Sequence, residues 1–324
     1  MAKWQASKIT EEDRLTDHKA DCGVTVPTEP LSINSVNEEK ARIWKKIAVF
    51  YALTMLFSGV FDAFVLHAGK LDSGNLLYVT GAMWSPALAA FVTKKIFRER
   101  VRELPWKWGR AKYAWLGYLI PIVYTLPVYL LVWLTGLGGF TRADFIVQTA
   151  EQFGWSRFPL NLTLALFVLL TATLGLIPKL ARALGEEIGW RGFLVPELSK
   201  VVSFPAIGLI SGLMWATYHY PVLIFADYNA GTPIWYGLGC FTVMVVADSF
   251  ILAWLALRSG SLWPAAILHA SHNLFIQSIC TPLTRDTGPT KYIIDEFGIG
   301  LVITITIGAI MVSRQRQQLP ANGR

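Results

Sequence analysis

The amino-acid sequence predicts an all-α, polytopic membrane protein, and three observations support that prediction. The chain of 324 residues is 53% hydrophobic and only 16% charged, whereas about a quarter of the residues in a soluble domain are charged. Its apolar residues gather in eight runs, each near the roughly 20 residues that cross a bilayer as a helix. Thirteen Trp and eleven Tyr, many of them at the ends of these runs, are typical of membrane interfaces.

The eight runs predict about eight transmembrane helices in a single membrane domain at residues 43–316. Residues 1–42 are polar and carry two prolines, so we expect a flexible cytoplasmic tail there. Residues 317–324 form a second, C-terminal tail. The predicted helices lie at about 47–67, 76–93, 114–135, 160–178, 203–225, 234–257, 261–280 and 298–312.

The basic residues indicate how these helices are oriented. Lysines and arginines cluster before the first run and after the second, fourth, sixth and eighth runs, the cluster after the fourth being Lys179 and Arg182. Under the positive-inside rule this pattern predicts that both termini are cytoplasmic. The same clustering accounts for the net charge of +7, so we expect the lipid bilayer, and no nucleic acid, as a partner. The intervening loops, poorer in Lys and Arg, are 68–75, 136–159, 226–233 and 281–297.

A charged stretch at residues 185–193, Gly-Glu-Glu-Ile-Gly-Trp-Arg-Gly-Phe, stands out, because ionised side chains in lipid need partners or a purpose. Glu187 and Arg191 share a helix face and can form an ion pair. Glu186 is rotated by about 100° and falls on another face, which leaves its carboxylate free for chemistry. A charged turn between two spans is the alternative. The surrounding segment, 179–200, either extends the fourth span or dips back as a re-entrant helix.

Three of the five histidines lie in the fifth and seventh runs. A histidine within a span faces the bundle interior or a water-filled cavity. His269 and Asn273 share a helix face and can point at one centre, with His272 on the flank of that face. Taken singly, His219 and His272 are more often packing residues, and His269 with Asn273 could form a hydrogen-bonded latch between helices.

Taken together, these polar groups are the ones needed to hydrolyse an amide with an activated water. A glutamate such as Glu186 acts as general base and proton carrier, assisted by a histidine. A histidine and an asparagine can then donate hydrogen bonds to the developing oxyanion. Two further intramembrane acids, Asp62 and Asp248, are expected to accept hydrogen bonds inside the bundle.

The order and spacing of three motifs resemble those of the CPBP family. This family comprises the CAAX prenyl endopeptidases of the Rce type and bacteriocin-processing or immunity membrane proteins. The resemblance covers about residues 180–280, and the residues around the motifs resemble the bacterial branch. One departure is Trp215, where many family members have Phe, which is a conservative change. The motifs are Glu186-Glu187-x-x-x-Arg191, Trp215-x-x-x-His219 and His269-x-x-x-Asn273.

The resemblance implies an eight-helix intramembrane peptidase of a bacterial plasma membrane, with its catalytic cavity open toward the cytoplasm. By position, Glu186 and His219 are expected to activate the water, and His269 and Asn273 to form the oxyanion hole. The expected supporting residues are Glu187, Arg191, Trp215 and His272.

We expect no metal ion or other cofactor, because a glutamate-dependent mechanism fits these residues and Asn is a poor zinc ligand. The alternative is a zinc ion held by Glu186, His219 and His269.

Three functions follow from these residues. The preferred one is an endopeptidase that cuts a membrane-associated or prenylated protein near its C-terminus. A non-catalytic immunity or peptide-binding protein is the alternative, but it has no need of both a carboxylate and oxyanion donors. A transporter with a midplane site would show two related halves, and no such symmetry is evident in the sequence.

The predicted spans contain one inconsistency. They place His219 about sixteen residues into its span from the cytoplasmic side and His269 about eight residues into its own. At 1.5 Å per residue, the two side chains differ in depth by roughly 12 Å. Helix tilt, or a fifth span that starts later than Ser203, would remove this difference.

Overall fold

The structure, a computed structural model, describes residues 33–68, 76–226 and 228–319. Of the two predicted tails, residues 1–32 and 320–324 lie outside the described residues, whereas residues 33–42 are helical. The chain divides into two compact units, residues 1–39 and residues 40–324. Of the first unit only the residues from Ile33 onward are described, and they are helical. The second unit contains the site described below.

Helices account for most of the described residues. The two strands, β1 (Gly139–Phe140) and β2 (Thr284–Arg285), form a short antiparallel pair. The helices are α1 (Ile33–Ala68), α2 (Leu76–Ile96), α3 (Ala111–Thr135), α4 (Ala143–Gln152), α5 (Leu160–Thr173), α6 (Leu176–Glu187), α7 (Val195–Leu198), α8 (Phe204–Phe225), α9 (Ile234–Ser259), α10 (Trp263–Asn273), α11 (Thr281–Leu283) and α12 (Ile299–Arg314), with 3-10 turns at Val101–Glu103, Thr290–Tyr292 and Arg316–Gln318.

The all-α membrane fold is confirmed, but the number of spans is not. By length and composition, six helical segments of the described residues can cross a membrane. The seventh predicted run, which becomes α10 and the turns after it, is not among them, and the eighth becomes α12, a shorter apolar helix of 16 residues. The six segments are Asn34–His67, Leu76–Ile96, Ala111–Thr135, Leu160–Leu198, Phe204–Phe225 and Ile234–Ser259.

The segment Leu160–Leu198 contains most of residues 179–200. It runs for 39 residues through α5, a turn at residues 174–175, α6, a π-helical turn and α7. An extended fourth span and a re-entrant helix both remain predictions for this segment. Lys179 and Arg182 lie on α6 and line an internal cavity.

One π-helical turn overlaps the first motif and another follows the third. Residues Ile188–Leu194, which include Arg191, are π-helical directly after Glu187, and residues Leu274–Cys280 are π-helical directly after Asn273. Such turns widen a helix locally and are frequent at functional sites. All seven residues of the first π turn are buried. The charged first motif is therefore enclosed by protein.

Helix α6 and the π turn after it pack closely on α2 through two glycines at a four-residue spacing. A Cβ atom at Gly185 would lie 2.7 Å from the carbonyl oxygen of Met83, and one at Gly189 would lie 2.7 Å from that of Pro86. Small residues at this spacing let membrane helices approach each other. This close packing fixes the position of Glu186 and Glu187 along the axis of the helix bundle.

The two ends of the helix bundle differ in charge. At the basic end, Lys46 pairs with Glu99 at 2.8 Å and with Glu197 at 2.7 Å, and Lys94 pairs with Glu99 at 3.1 Å. The loop 97–110 belongs to this end. The opposite end is formed by the C-terminal ends of α1, α3 and α8, the N-terminal ends of α2, α9 and α12, and the loops 226–233 and 284–298.

Candidate active site

One cavity of about 380 Å³ collects the polar residues of the three motifs. Its walls come from α1, α2, α6, α8, α9, α10 and the turn after α10, together with two loop residues. Apolar side chains such as Val79, Met83 and Val222 cover much of the remaining wall. The motif residues that line it are Glu186, Trp215, His219, His269, His272 and Asn273.

Glu186 is buried at the C-terminal end of α6, and it lines the cavity. The indole Nε1 of Trp215 donates a hydrogen bond of 2.6 Å to Glu186 Oε2. A phenylalanine at position 215 could not make this bond. The difference from the family pattern, expected to be conservative, therefore changes how the free carboxylate is held.

Glu187 and Arg191 form the ion pair that their spacing predicts. Arg191 Nη1 donates to Glu187 Oε1 at 2.9 Å, and Arg191 Nη2 donates to Ser249 Oγ of α9 at 3.1 Å. The guanidinium also lies over the Trp215 ring, 4.4 Å from its centre, where the electron-rich face attracts a cation. Both charged side chains are fully buried, so each is compensated by the other.

Glu187 also holds His269. Its Oε1 lies 2.9 Å from Nδ1 of the imidazole, which therefore carries a proton and donates to the carboxylate. The other ring nitrogen, Nε2, remains for the cavity. Sequence spacing could not reveal this contact, because it joins two helices and the residues are 82 positions apart.

His219 lies beside the same tryptophan as His269. The Trp215 ring centre is 6.1 Å from that of His219 and 5.2 Å from that of His269. His219 Nδ1 donates to the Trp215 carbonyl oxygen at 3.0 Å. Because a carbonyl only accepts, the proton is on Nδ1, and Nε2 of His219 is left as an acceptor.

The expected depth difference between the two histidines is absent because α10 starts inside the protein. The fifth span begins at Phe204, close to the predicted position, so a later start is not the reason. Leu262, just before α10, is fully buried, and its N–H donates to the carbonyl of Pro105 at 3.1 Å. The loop 97–110 thus covers the start of α10 and sets His269 at the level of Trp215.

His272 is held at both ring nitrogens. Nδ1 lies 2.8 Å from the Tyr124 hydroxyl and Nε2 lies 3.2 Å from Glu296 Oε1. Glu296 also accepts hydrogen bonds from the Tyr228 hydroxyl at 2.9 Å and from Gln277 Nε2 at 3.0 Å. Burial raises the pKa of Glu296, but the hydrogen bonds from His272 and Tyr228 outweigh it, so the pKa lies below its usual range. His272 is therefore a member of a buried polar network that lines one side of the cavity.

Sequence reasoning missed Glu296, Tyr228 and Gln277. Glu296 and Tyr228 belong to loops, where no periodic pattern indicates which side chain turns inward. Gln277 follows the third motif, within the second π turn. Its neutral side chain gave no electrostatic signal. Only the folded chain brings these three residues to the cavity wall.

Two acids outside the motifs, Asp62 and Asp248, also line the cavity. We expected both to accept hydrogen bonds inside the bundle. Asp248 is buried, yet its Oδ1 has no hydrogen-bond partner within the described residues. The cavity is therefore rich in carboxylates on the sides formed by α1 and α9 as well as at Glu186.

The donor groups fit a metal ion poorly. In the described part of the chain, no three His, Cys, Asp or Glu side chains are grouped so that they could hold one ion. Within the alternative zinc set, Glu186 Oε2 accepts a hydrogen bond from Trp215. His269 Nδ1 donates to Glu187, as a metal-bound histidine also does, so the poor fit rests on the grouping of the donors. We therefore derive no step of the chemistry through a metal.

The cavity extends toward the end of the bundle opposite the basic end. Its lining includes Asp62 near the end of α1, Leu76 at the start of α2, Val222 near the end of α8, and Tyr228 in the following loop. Cytoplasmic termini, predicted from the charges, would therefore place its mouth on the non-cytoplasmic side. The resemblance implies a cytoplasmic opening instead, so only one of the two predictions can hold.

Comparison with known proteins finds similarity over the central part of the chain. Residues 159–275 match the family model described as type II CAAX prenyl endopeptidase Rce1-like. The chain is also 30% identical, over 175 residues, to CAAX prenyl protease 2 of Methanococcus maripaludis, a match that covers 52% of this chain and 58% of that relative. The predicted resemblance is confirmed over this stretch, whereas the bacterial branch is not. All three motifs lie within the matched residues, and Glu296 lies beyond them.

Proposed function

We propose that this chain, Rce1-like over residues 159–275, is an intramembrane endopeptidase that hydrolyses a peptide bond of a membrane-associated polypeptide. One observation carries the proposal: three helices deliver a carboxylate, two imidazoles and an amide to the same cavity. These are the groups that an amide hydrolysis by activated water requires.

Glu186 is the proposed general base. It takes a proton from a water molecule held between its carboxylate and Nε2 of His219 while the water oxygen attacks the carbonyl carbon of the substrate. The same proton then passes from Glu186 to the leaving nitrogen, the C–N bond breaks, and the carboxylate is ionised again. The hydrogen bond from Trp215 fixes Oε2 of Glu186, which leaves Oε1 for the water.

His269 and Asn273 are the proposed donors to the oxyanion. Because Nδ1 of His269 donates to Glu187, Nε2 can donate only when both ring nitrogens are protonated. The ionised carboxylate of Glu187 stabilises that cationic ring, and Asn273 adds a neutral N–H one helical turn away. Removing one oxyanion donor from a hydrolase typically lowers kcat by about 10²–10³.

A prenylated CAAX-type peptide is the first substrate class to test, since the matched relative is named CAAX prenyl protease 2. The apolar part of the cavity wall suits aliphatic side chains next to the scissile bond. We propose that the protein acts in the membrane and without a metal ion.

The test is incubation of the purified protein in detergent with a quenched, farnesylated CAAX peptide, followed by mass spectrometry of the products. We expect a C-terminal fragment to be released by the wild type and by Glu151→Gln, which removes an exposed carboxylate of α4. We expect no release by Glu186→Gln. A folded wild type that binds the peptide without cutting it would instead support a non-catalytic peptide-binding or immunity protein.

A further inference from the structure

Two cations project into the cavity from the helix that carries Glu186. Lys179 and Arg182 lie within the apolar segment Leu160–Leu198 and line the cavity. A cationic side chain that faces the interior of a membrane protein marks a functional site by default. Two such side chains in adjacent turns therefore need an explanation.

The described residues give neither cation an anionic partner. Lys179 Nζ has one weak contact, 3.5 Å to the amide oxygen of Gln277. Arg182 Nε donates to the carbonyl of Pro178 in its own helix at 3.3 Å. Within residues 33–68, 76–226 and 228–319, no carboxylate comes within the 4.0 Å that defines an ion pair with either of them. Most donor positions of both side chains are thus open to a ligand.

None of the acids that line the cavity forms an ion pair with Lys179 or Arg182. Glu296 accepts hydrogen bonds from Tyr228 and Gln277 and contacts His272, so its oxygens are already occupied. Glu186 is bound by Trp215. Lys179 contacts Gln277, which in turn donates to Glu296, so Lys179 could offset the negative charge of Glu296 within the protein. That role would not explain why Arg182 also lines the cavity.

The two cations and Glu186 lie on one helix face. Arg182 precedes Glu186 by four residues and Lys179 precedes it by seven, so along α6 they stand about 6 Å and about 10 Å from it. An extended peptide advances about 3.3–3.6 Å per residue. The span from Glu186 to the cations therefore corresponds to two or three substrate residues.

We propose that Lys179 and Arg182 bind the free C-terminal carboxylate of the substrate, and that this contact sets the distance from the C-terminus at which Glu186 directs cleavage. The inference rests on the proposed function, because it names the part of a substrate that the same cavity recognises. A carboxylate is the anion every polypeptide offers at its C-terminus, and a guanidinium binds it with two parallel hydrogen bonds.

The cleavage test compares three forms of the farnesylated peptide: the free acid, the C-terminal amide, and an acid lengthened by three residues. For the wild type we expect kcat/KM for the free acid to exceed that for the other two by about tenfold or more, because a charge-assisted hydrogen bond is lost. For Lys179→Gln/Arg182→Gln, the acid and the amide should be cleaved at similar rates. The control is Lys95→Gln/Arg98→Gln, two exposed basic residues at the same spacing, which should keep the preference.

A binding measurement separates failure of this inference from failure of the proposed function. The binding of labelled acid and amide peptides to Glu186→Gln protein is measured by fluorescence anisotropy. Because this variant is expected not to cleave the peptides, the measured affinities do not depend on turnover. Tighter binding of the acid, lost in the triple variant with Lys179→Gln/Arg182→Gln, supports the anchor even if no cleavage is ever seen. Equal affinity of the acid and amide peptides would overturn it, and so would a preference that persists without the two cations.

Discussion

Nδ1 of His269 and Oε1 of Glu187 lie 2.9 Å apart, and the same oxygen accepts a hydrogen bond of 2.9 Å from Arg191. A carboxylate that the sequence assigned to structural support thus also orients one of the proposed catalytic imidazoles. Glu187 is therefore a positioning residue, and Arg191 holds its carboxylate in place.

Glu187→Gln is expected to lower kcat by about 100-fold or more, with little change in KM, because the amide cannot stabilise a cationic His269. The measurement is the steady-state kinetics of peptide cleavage, with thermal unfolding as a check on folding. The variant also leaves Arg191 without its buried partner, so some loss of stability is expected. A folded Glu187→Gln protein with wild-type kcat would contradict the positioning role.

Trp215→Phe keeps the aromatic ring and removes the N–H that donates to Glu186. We expect a folded protein whose kcat is reduced about tenfold, since a hydrogen bond to a charged group is lost. KM should change little, because the indole N–H contacts the base and not the substrate. Unchanged kcat would show that the hydrogen bond does not position Glu186.

Gly189→Ala tests the close packing of the π turn after α6 on α2. The added Cβ would lie 2.7 Å from the carbonyl oxygen of Pro86, so the helices must separate, at a cost of about 1–3 kcal/mol. We expect a lower midpoint of thermal unfolding in detergent. Gly59→Ala is the matched control, because no described residue lies within 4 Å of a Cβ there and alanine favours a helix. Equal midpoints for the two variants would exclude tight packing at Gly189.

The ion pairs at the basic end predict a pH dependence of stability. Burial raises the pKa of Glu99, but the hydrogen bonds from Lys46 and Lys94 lower it by more, so the pKa lies below its usual value. A carboxylate whose pKa is lower in the folded protein stabilises the fold fully at pH values above its pKa in the unfolded chain, about 4.3. This stabilisation is lost as the pH falls through its pKa in the folded protein. The unfolding midpoint of Glu99→Gln should therefore fall below that of the wild type at pH 7, and the difference should shrink toward pH 3. A difference that is independent of pH would contradict this account.

Single cysteines can settle which side of the membrane the cavity faces. Lys107→Cys marks the basic end and Arg157→Cys marks the segment before α5, and both positions are exposed. From the charges we expect an impermeant maleimide to label position 157 in intact cells, and position 107 only after permeabilisation. The reverse pattern would show that the cavity opens toward the cytoplasm, as the resemblance implies.

Helical periodicity within the motifs predicted much of the site. The face shared by Glu187 and Arg191, the separate face of Glu186, and the common face of His269 and Asn273 all follow from spacing within one helix. Contacts between helices could not be predicted in this way. The bond from Trp215 to Glu186 joins residues 29 positions apart, and that from His269 to Glu187 joins residues 82 positions apart.

The fold was predicted in class but not in detail. Hydropathy identified the apolar segments, and the all-helical architecture follows from the need to satisfy backbone groups within a bilayer. It could not show that Lys179 and Arg182 line an internal cavity, because such charged residues look in sequence like the end of a span. It could not show that α10 begins beneath the loop 97–110, since burial of a helix start depends on tertiary contacts.

The central claim is that Glu186 activates water without a metal ion. It is tested most directly by kcat for cleavage of the farnesylated peptide by wild type and Glu186→Gln protein, each with and without a chelator. The account predicts that the wild type keeps its activity in chelator and that Glu186→Gln loses at least about 10³-fold in kcat, because the amide cannot accept the proton. Loss of wild-type activity in chelator with rescue by zinc would contradict it, as would a folded Glu186→Gln protein that cleaves at the wild-type rate.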